Sequence, residues 1–278
     1  MTLTHLLKQA TLPLNAMKTV GRNRLNLTLF CDFDGPLVDV SKRYYGTYKT
    51  ALRHTQATYL ENDQQLPLKP LAKEQFWHMK RQRVSDIEIA MQSGLQEEET
   101  AFFLDYVREI VNKSELLHLD VMQQSVNWSL GLLHSYGVKL VLVTLREESQ
   151  VHRMLDQYGL KRLFSGIYGS HARHTAYQNN IDVKTSLLKE AISEQGELKD
   201  HWVMVGDTEA DIVAAQRMNI PVIALTCGIR DAEYLKKYSP DYLTQDLLST
   251  AHLLIKRYGK SDRYAAGQAD YFLSNALT

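Results

Sequence analysis

Apolar and polar positions fall into two regimes along this chain. Leu27-Thr28-Leu29-Phe30-Cys31 is a short, predominantly apolar run, the pattern of a strand buried on both faces. From about residue 41 to 118 the period turns helical: Tyr44, Tyr48, Ala51 and Leu52, then Phe103, Tyr106, Val107 and Ile110, recur on one face. Pro67, Pro70 and Gly94 punctuate this block and divide it into at least four helices. Beyond it, short apolar runs alternate with amphipathic stretches. A helix is predicted over 121–136, with Val126, Leu130 and Leu133 on one face and Gly137 as a left-handed stop. Val138 to Val143 reads as a buried strand, 147–158 as a helix carrying Val151, Met154, Leu155 and Tyr158 and ending at Gly159, and Gly166 to Gly169 as a short strand. Helix 184–194, strand Trp202 to Val205, helix 209–218 and strand Val222 to Leu225 complete the series.

Strands alternating with helices favour a parallel sheet covered on both faces. The expected fold is α/β, a three-layer, Rossmann-like parallel sheet core with an inserted all-helical domain. Its parts are an N-terminal extension (1–24), a core (25–40 and 119–258), the helical block (41–118) and a C-terminal tail (259–278). The tail carries Tyr264, Tyr271, Phe272 and Leu273, apolar enough to pack on the core or on a second subunit of a homodimer.

Composition narrows the function classes. A chain of 278 residues with 44% hydrophobic content can bury a full core and a second small domain. Its 32 basic and 32 acidic residues balance, which removes the footprint of a non-specific nucleic-acid binder. No apolar run approaches the roughly 20 residues of a membrane span. The two cysteines, Cys31 and Cys227, lie beside apolar runs and far apart, so buried free thiols and a cytoplasmic location are expected. Residues 1–24 carry Lys8, Lys18, Arg22 and Arg24 without an acid, and read as a short amphipathic helix in preference to an organelle-targeting peptide.

Asp32 and Asp34 close the first strand one residue apart. An isolated buried charge is costly, so two carboxylates there point to a strand end that holds a cation or does chemistry. In a parallel sheet, ligands bind beyond the C-terminal strand ends. Collecting the residues at those ends gives Asp32 and Asp34, then Thr144, then Gly206-Asp207-Thr208-Glu209-Ala210-Asp211, with Lys184 at a helix start between them. Carboxylates would bind a hard divalent cation, while the hydroxyl and the lysine would meet a phosphate. Taken singly, Asp207 reads as a helix cap or turn residue, Thr144 as a cap, and Lys184 as a solvated lysine with Lys189 close behind. Their joint order reverses those readings.

That order resembles the haloacid dehalogenase superfamily: Asp32-Phe33-Asp34-Gly35 after the first strand, Thr144 after the second, Lys184, then Gly206-Asp207-x-x-x-Asp211. The resemblance covers about 27–40 and 119–248, and the helical block matches the family's cap. It implies a Mg2+-dependent phosphatase acting on a small phosphorylated metabolite, in the manner of phosphoglycolate phosphatases. Asp32 would be the nucleophile that forms an aspartyl-phosphate. The metal would be held by Asp32, the Asp34 backbone carbonyl and Asp207, with Asp211 orienting a metal-bound water or Lys184 from behind. Asp34 would protonate the leaving alcohol and then activate water, a task that halide departure does not need. Thr144, Leu145, Arg146 and Lys184 would contact the phosphoryl group or its charge. Alternatives are a phosphomutase of the same superfamily and a catalytically silent binding protein.

One departure is Pro36, where most family members carry Thr; proline removes a hydroxyl and an amide donor from that loop. Specificity is expected in the cap, where Tyr44, Tyr45, Tyr48, Trp77, His78, Lys80 and Arg81 either line a pocket or form cap core with exposed polar tips. His171-Ala172-Arg173-His174 lacks a third ligand for a transition metal and is a candidate substrate contact, with Arg230 a further anion contact.

Overall fold

The computed structural model describes residues 24–171, 175–195 and 201–259. Ala172, Arg173 and His174, residues 1–23 of the N-terminal extension, and all but the first residue of the tail lie outside them.

The opening run forms β1 (Thr28–Cys31), followed by a tight loop and β2 (Val38–Asp39). Five helices come next: α1 (Ser41–Leu60), α2 (Lys73–Arg81), α3 (Asp86–Gln92), α4 (Glu97–Ile110) and α5 (Ser114–Leu117). The chain returns through β3 (Val121–Met122), which pairs antiparallel with β2, Val38 opposite Met122 and Asp39 opposite Val121. The insertion therefore enters and leaves through two adjacent linkers. Its interior is aromatic. Tyr48 stacks on Phe76 at 4.8 Å and meets Phe103 edge-on at 6.2 Å, tying α1, α2 and α4 together. The start of α4 is fixed by a capping box, Gln96 with Glu99.

The remaining elements are α6 (Val126–Ser135), β4 (Lys139–Glu147), α7 (Glu148–Gln157), β5 (Phe164–Ser170), α8 (Thr175–Gln178), α9 (Ile181–Gln195), β6 (Trp202–Gly206), α10 (Glu209–Arg217), β7 (Val222–Leu225), α11 (Ala232–Lys236), β8 (Tyr242–Thr244) and α12 (Leu247–Tyr258). Six strands form one parallel sheet in the order β5-β4-β1-β6-β7-β8. Its unbroken apolar runs follow from burial on both faces. Leu29, Cys31, Leu140, Leu142, Val203 and Val205 enter one core, shared with α6, α7, α12 and the insertion. Phe30, Val141, Val143 and Met204 enter the other, beneath α9 and α10. A strand's period of two thus sorts each run between two layers.

Several sequence expectations shift. The helix predicted over 121–136 begins only at Val126, because Val121 and Met122 are taken by pairing with β2 and Gln123 donates its amide to Leu37 at 2.8 Å. It ends as expected, with Gly137 at φ +75°. The helix expected from Lys184 starts at Ile181, where the Asn180 side chain accepts the amides of Asp182 and Val183 at 3.0 and 3.1 Å. Helices α11 and α12 and edge strand β8 were assigned no element by periodicity. Among the described residues no helix is long and apolar enough to cross a membrane.

Strand β1 lies inside the sheet between β4 and β6, and Leu29 on it is fully buried. Leu29→Ala should cost about 2–5 kcal/mol of stability, read as a lower urea midpoint with unchanged slope.

Candidate active site

Parallel pairing decides which side chains meet. Cys31 is opposite Val205 in the β1–β6 ladder, so Asp32 and Asp207 leave neighbouring strands at nearly the same level. The Asp32 amide is held by the Val205 carbonyl at 2.9 Å. Asp211 arrives one turn into α10. Its Oδ2 accepts from the Thr208 hydroxyl at 2.7 Å and from the Thr208 and Asp207 amides at 3.1 and 3.2 Å. One carboxylate oxygen from each of Asp32, Asp207 and Asp211 lies within 4.8 Å of the others. Lys184, one turn inside α9, bridges two of them, with Nζ 2.8 Å from Asp32 Oδ1 and 2.7 Å from Asp211 Oδ1.

The cluster is almost sealed: Asp32 is 7% exposed and Asp207 and Asp211 are fully buried. Burial first, and then the Asp211 charge, push the Asp32 carboxyl up to about 7 against the pull of Lys184. Burial and both neighbouring carboxylates also raise Asp207 well above the ordinary carboxylate range. Burial opposes the Lys184 charge, but Asp211 and Asp32 outweigh it and hold the ammonium up. Fully ionised, three carboxylates and one lysine leave two negative charges in a dry place, a donor set suited to one hard divalent cation. Asp207 supports that fit directly. Its Oδ2 takes the Ile229 amide at 2.5 Å, whereas its buried Oδ1 has no hydrogen-bond partner among the described residues. Glycine makes room for this carboxylate. A Cβ on Gly35 (φ +99°) or on Gly228 would fall inside it.

Asp34 stands apart from the cluster. Its Oδ2 pairs with Arg43 Nη2 at 3.0 Å, and its Oδ1 lies 3.3 Å from Arg146 Nε. Both arginines also hold Asp120, Arg43 through Nε at 2.9 Å and Arg146 through Nη2. Two buried arginines and two buried carboxylates thus form a closed ring. Thr144 lies in the irregular part of the β4–β5 ladder, and its hydroxyl accepts the Arg146 amide at 3.2 Å. Leu145 is buried beside it.

The structure accordingly brings Asp32, Lys184, Asp207 and Asp211 into contact and gives Asp34 and Arg146 to the arginine ring. Arg230 differs from expectation as an anion contact: it is buried, pairs with Glu209 at 3.0 Å and donates to the Lys80 carbonyl at 3.0 Å. His171 is exposed. Of the insertion candidates, Tyr44 and Tyr48 are buried, Tyr45 and Trp77 half-buried and His78 exposed. Lys80 pairs with Asp86 at 2.7 Å and lies over the Tyr177 ring at 4.8 Å, while Arg81 donates to the Thr226 carbonyl at 2.7 Å. Pro36 costs the loop nothing visible, since the turn is closed by the amides of Gly35, Leu37 and Val38. Sequence reasoning missed Arg43, Asp120 and Gly228. Arg43 alone left a signal, a charge on the inward face of α1 among Tyr44, Thr47 and Tyr48.

The sequence profile of the haloacid dehalogenase-like hydrolases matches residues 29–225. The chain belongs to this family. As a haloacid dehalogenase-like hydrolase it is similar to the pyrophosphatase PpaX of Oceanobacillus iheyensis, 29% identical over 117 residues, 41% of this chain and 51% of that protein. It is also similar to the phosphoglycolate phosphatase of Vibrio cholerae, 28% identical over 129 residues, 46% of this chain and 55% of that one. The aligned regions thus span about half the length of these relatives. The fold is shared with the crystal structure of a predicted phosphatase from Clostridium acetobutylicum, with a TM-score of 0.59 and 21% identity over 84% of this chain and 99% of that one.

Two predictions follow from the buried charge. Gly228→Ala, which displaces Asp207, should weaken Mg2+ binding by about tenfold or more in titration calorimetry without altering the circular dichroism spectrum. Without metal, the raised carboxyl groups make the folded state bind more protons than the unfolded one, so their contribution to stability falls as pH rises from the ordinary carboxylate range towards about 7. A bound cation removes that penalty. The gain in melting temperature on adding Mg2+ should therefore be larger at about pH 7.5 than at about pH 5 and should vanish in Asp207→Asn; equal gains at both would contradict the assignment.

Proposed function

We propose that this hydrolase is a Mg2+-dependent phosphatase that cleaves small phosphate monoesters through an aspartyl-phosphate on Asp32. The observation that carries the reading is the separation of two kinds of carboxylate at one strand end. Asp32, Asp207 and Asp211 converge with Lys184, while Asp34, two residues on, is held apart by arginines. One group suits cation and nucleophile, the other proton transfer.

In this reading Asp32, Asp207 and the Asp34 carbonyl would hold the cation, and Asp211 fixes Lys184 and the start of α10. The cation supplies neutralisation of a dianionic phosphate so that a carboxylate can approach it. Asp32 attacks phosphorus and the ester P–O bond breaks, while Asp34 gives its proton to the departing alkoxide. Asp34, now a carboxylate, takes a proton from water as that water attacks the aspartyl-phosphate; the P–O bond to Asp32 breaks and inorganic phosphate leaves. The Thr144 hydroxyl, the Leu145 amide and amides after Asp32 bind phosphoryl oxygens, with Lys184 compensating charge as it builds.

The helical insertion, 41–118, is read as a cap over the core formed by 25–40 and 119–258. Supporting this, α2 is fastened to the core through Arg81 and the Arg230–Glu209 pair, and Arg83 adds a 3.0 Å contact to Glu209. A site closed in this way favours a small metabolite over a macromolecular phosphate. The names of the relatives, a phosphoglycolate phosphatase and a pyrophosphatase, support the same substrate range.

A panel of phosphorylated metabolites with Mg2+, scored by phosphate release, should reveal turnover that Asp32→Asn lowers by about 10³-fold or more. Isomerised sugar phosphate without free phosphate would indicate a mutase. Turnover unaffected by Asp32→Asn would refute the reading.

A further inference from the structure

Arg43 is among the largest fully buried side chains, 1% exposed, and its donors are divided between two tasks. Four of its contacts stay near the insertion: Nε grips both Asp120 oxygens at 2.9 and 3.0 Å, and Nη1 donates to the Val111 carbonyl at 3.1 Å and the Asn112 side chain at 2.8 Å. The remaining nitrogen, Nη2, reaches out of the insertion to Asp34 Oδ2 at 3.0 Å. A staple serving the insertion alone would need no such arm.

The effect on Asp34 is asymmetric. Oδ2 carries a charge-assisted hydrogen bond, whereas Oδ1, equally buried, has no hydrogen-bond partner among the described residues, because Arg146 Nε approaches it at 3.3 Å out of line. The Oδ2 bond fixes one edge of the carboxyl group, and Arg146 stands against the other. A guanidinium held at several points is rigid in a way that an ammonium is not.

We infer that Arg43 is a positioning residue: through Asp34 Oδ2 it fixes the orientation in which this carboxyl group meets the departing oxygen of the substrate, and it makes that orientation depend on the placement of the helical insertion. Arg43 touches neither the transferred phosphoryl group nor the cation. The inference rests on the phosphatase reading and on the role of Asp34 within it. Its signature is selective. Departure of an alkoxide needs a well-aimed acid, whereas departure of p-nitrophenolate needs almost none.

The experiment measures leaving-group release in a single turnover by full-length protein with Mg2+, using an alkyl phosphate that the wild type hydrolyses and p-nitrophenyl phosphate. Arg43→Lys keeps the charge and loses the fork. It should slow alkyl phosphate cleavage about 10²-fold at unchanged KM while leaving p-nitrophenolate release near the wild-type rate. Asn112→Ala, which loosens Arg43 without touching Asp34, should reproduce the same selectivity in milder form should Arg43→Lys fail to fold. Asp34→Asn gives the upper limit of the selectivity. Equal losses on both substrates, or no loss on either, would overturn the positioning role while leaving the phosphatase reading intact. A wild type that hydrolyses neither p-nitrophenyl phosphate nor any alkyl phosphate tried would instead overturn the phosphatase reading itself.

Discussion

Repulsion between carboxylates that the sheet will not let separate is the constraint on which this structure turns. Asp32 follows Cys31, the partner of Val205, and Asp207 lies two residues beyond Val205 on the adjacent parallel strand, and neighbouring strands lie only about 4.8 Å apart. Asp211 is delivered to the same place by the first turn of α10. Burial makes the charge more expensive, and the surrounding residues are arranged to contain it. Lys184 reaches in from α9 to two carboxylates, Thr208 and the backbone amides occupy Asp211, and glycines at 35 and 228 leave Asp207 the space it needs. What remains uncompensated is the attraction for a cation.

Much of this was legible in the sequence because it depends on strand ends. The runs at 28–31, 139–143, 202–205 and 222–225 are apolar at every second position for each of two cores, so they could be recognised as doubly covered strands and their C-terminal residues collected. Chemistry carried by residues next to those runs came with them. What stayed hidden depends on contacts between distant segments. Asp120 is an ordinary loop acid until Arg43 and Arg146 are placed around it, and Gly228 is one more loop glycine until Asp207 presses against it. Val121 and Met122 look helical beside Val126 and Leu130, but Asp39 and Val38, far back in the chain, claim them as a strand. The amide donor that Pro36 lacks is not missed, for a similarly local reason: the amides that close the turn belong to Gly35, Leu37 and Val38.

The arginine ring and the carboxylate cluster answer the same problem in opposite ways. In the ring, two arginines, Arg43 and Arg146, face two carboxyl groups, Asp34 and Asp120, so each acid has a cationic partner in the buried space. In the cluster the count is left short. Two residues of chain, from Asp32 to Asp34, separate a balanced environment from an unbalanced one. That contrast gives chemically identical side chains different electrostatic settings, and it is built from residues of both the insertion and the sheet.

The antiparallel pairing of β2 with β3 has a bearing on how such a molecule can change over time. Because the insertion departs and returns through two paired residues on each linker, the sheet senses only that its two ends meet, whatever lies between them. Helices could be lengthened, exchanged or reordered there without moving a strand, so recognition can diversify while the catalytic scaffold is conserved. Arg43 limits that freedom: an insertion that brought no cation would leave Arg146 alone against both Asp34 and Asp120, so this one side chain ties the exchangeable part to the fixed one.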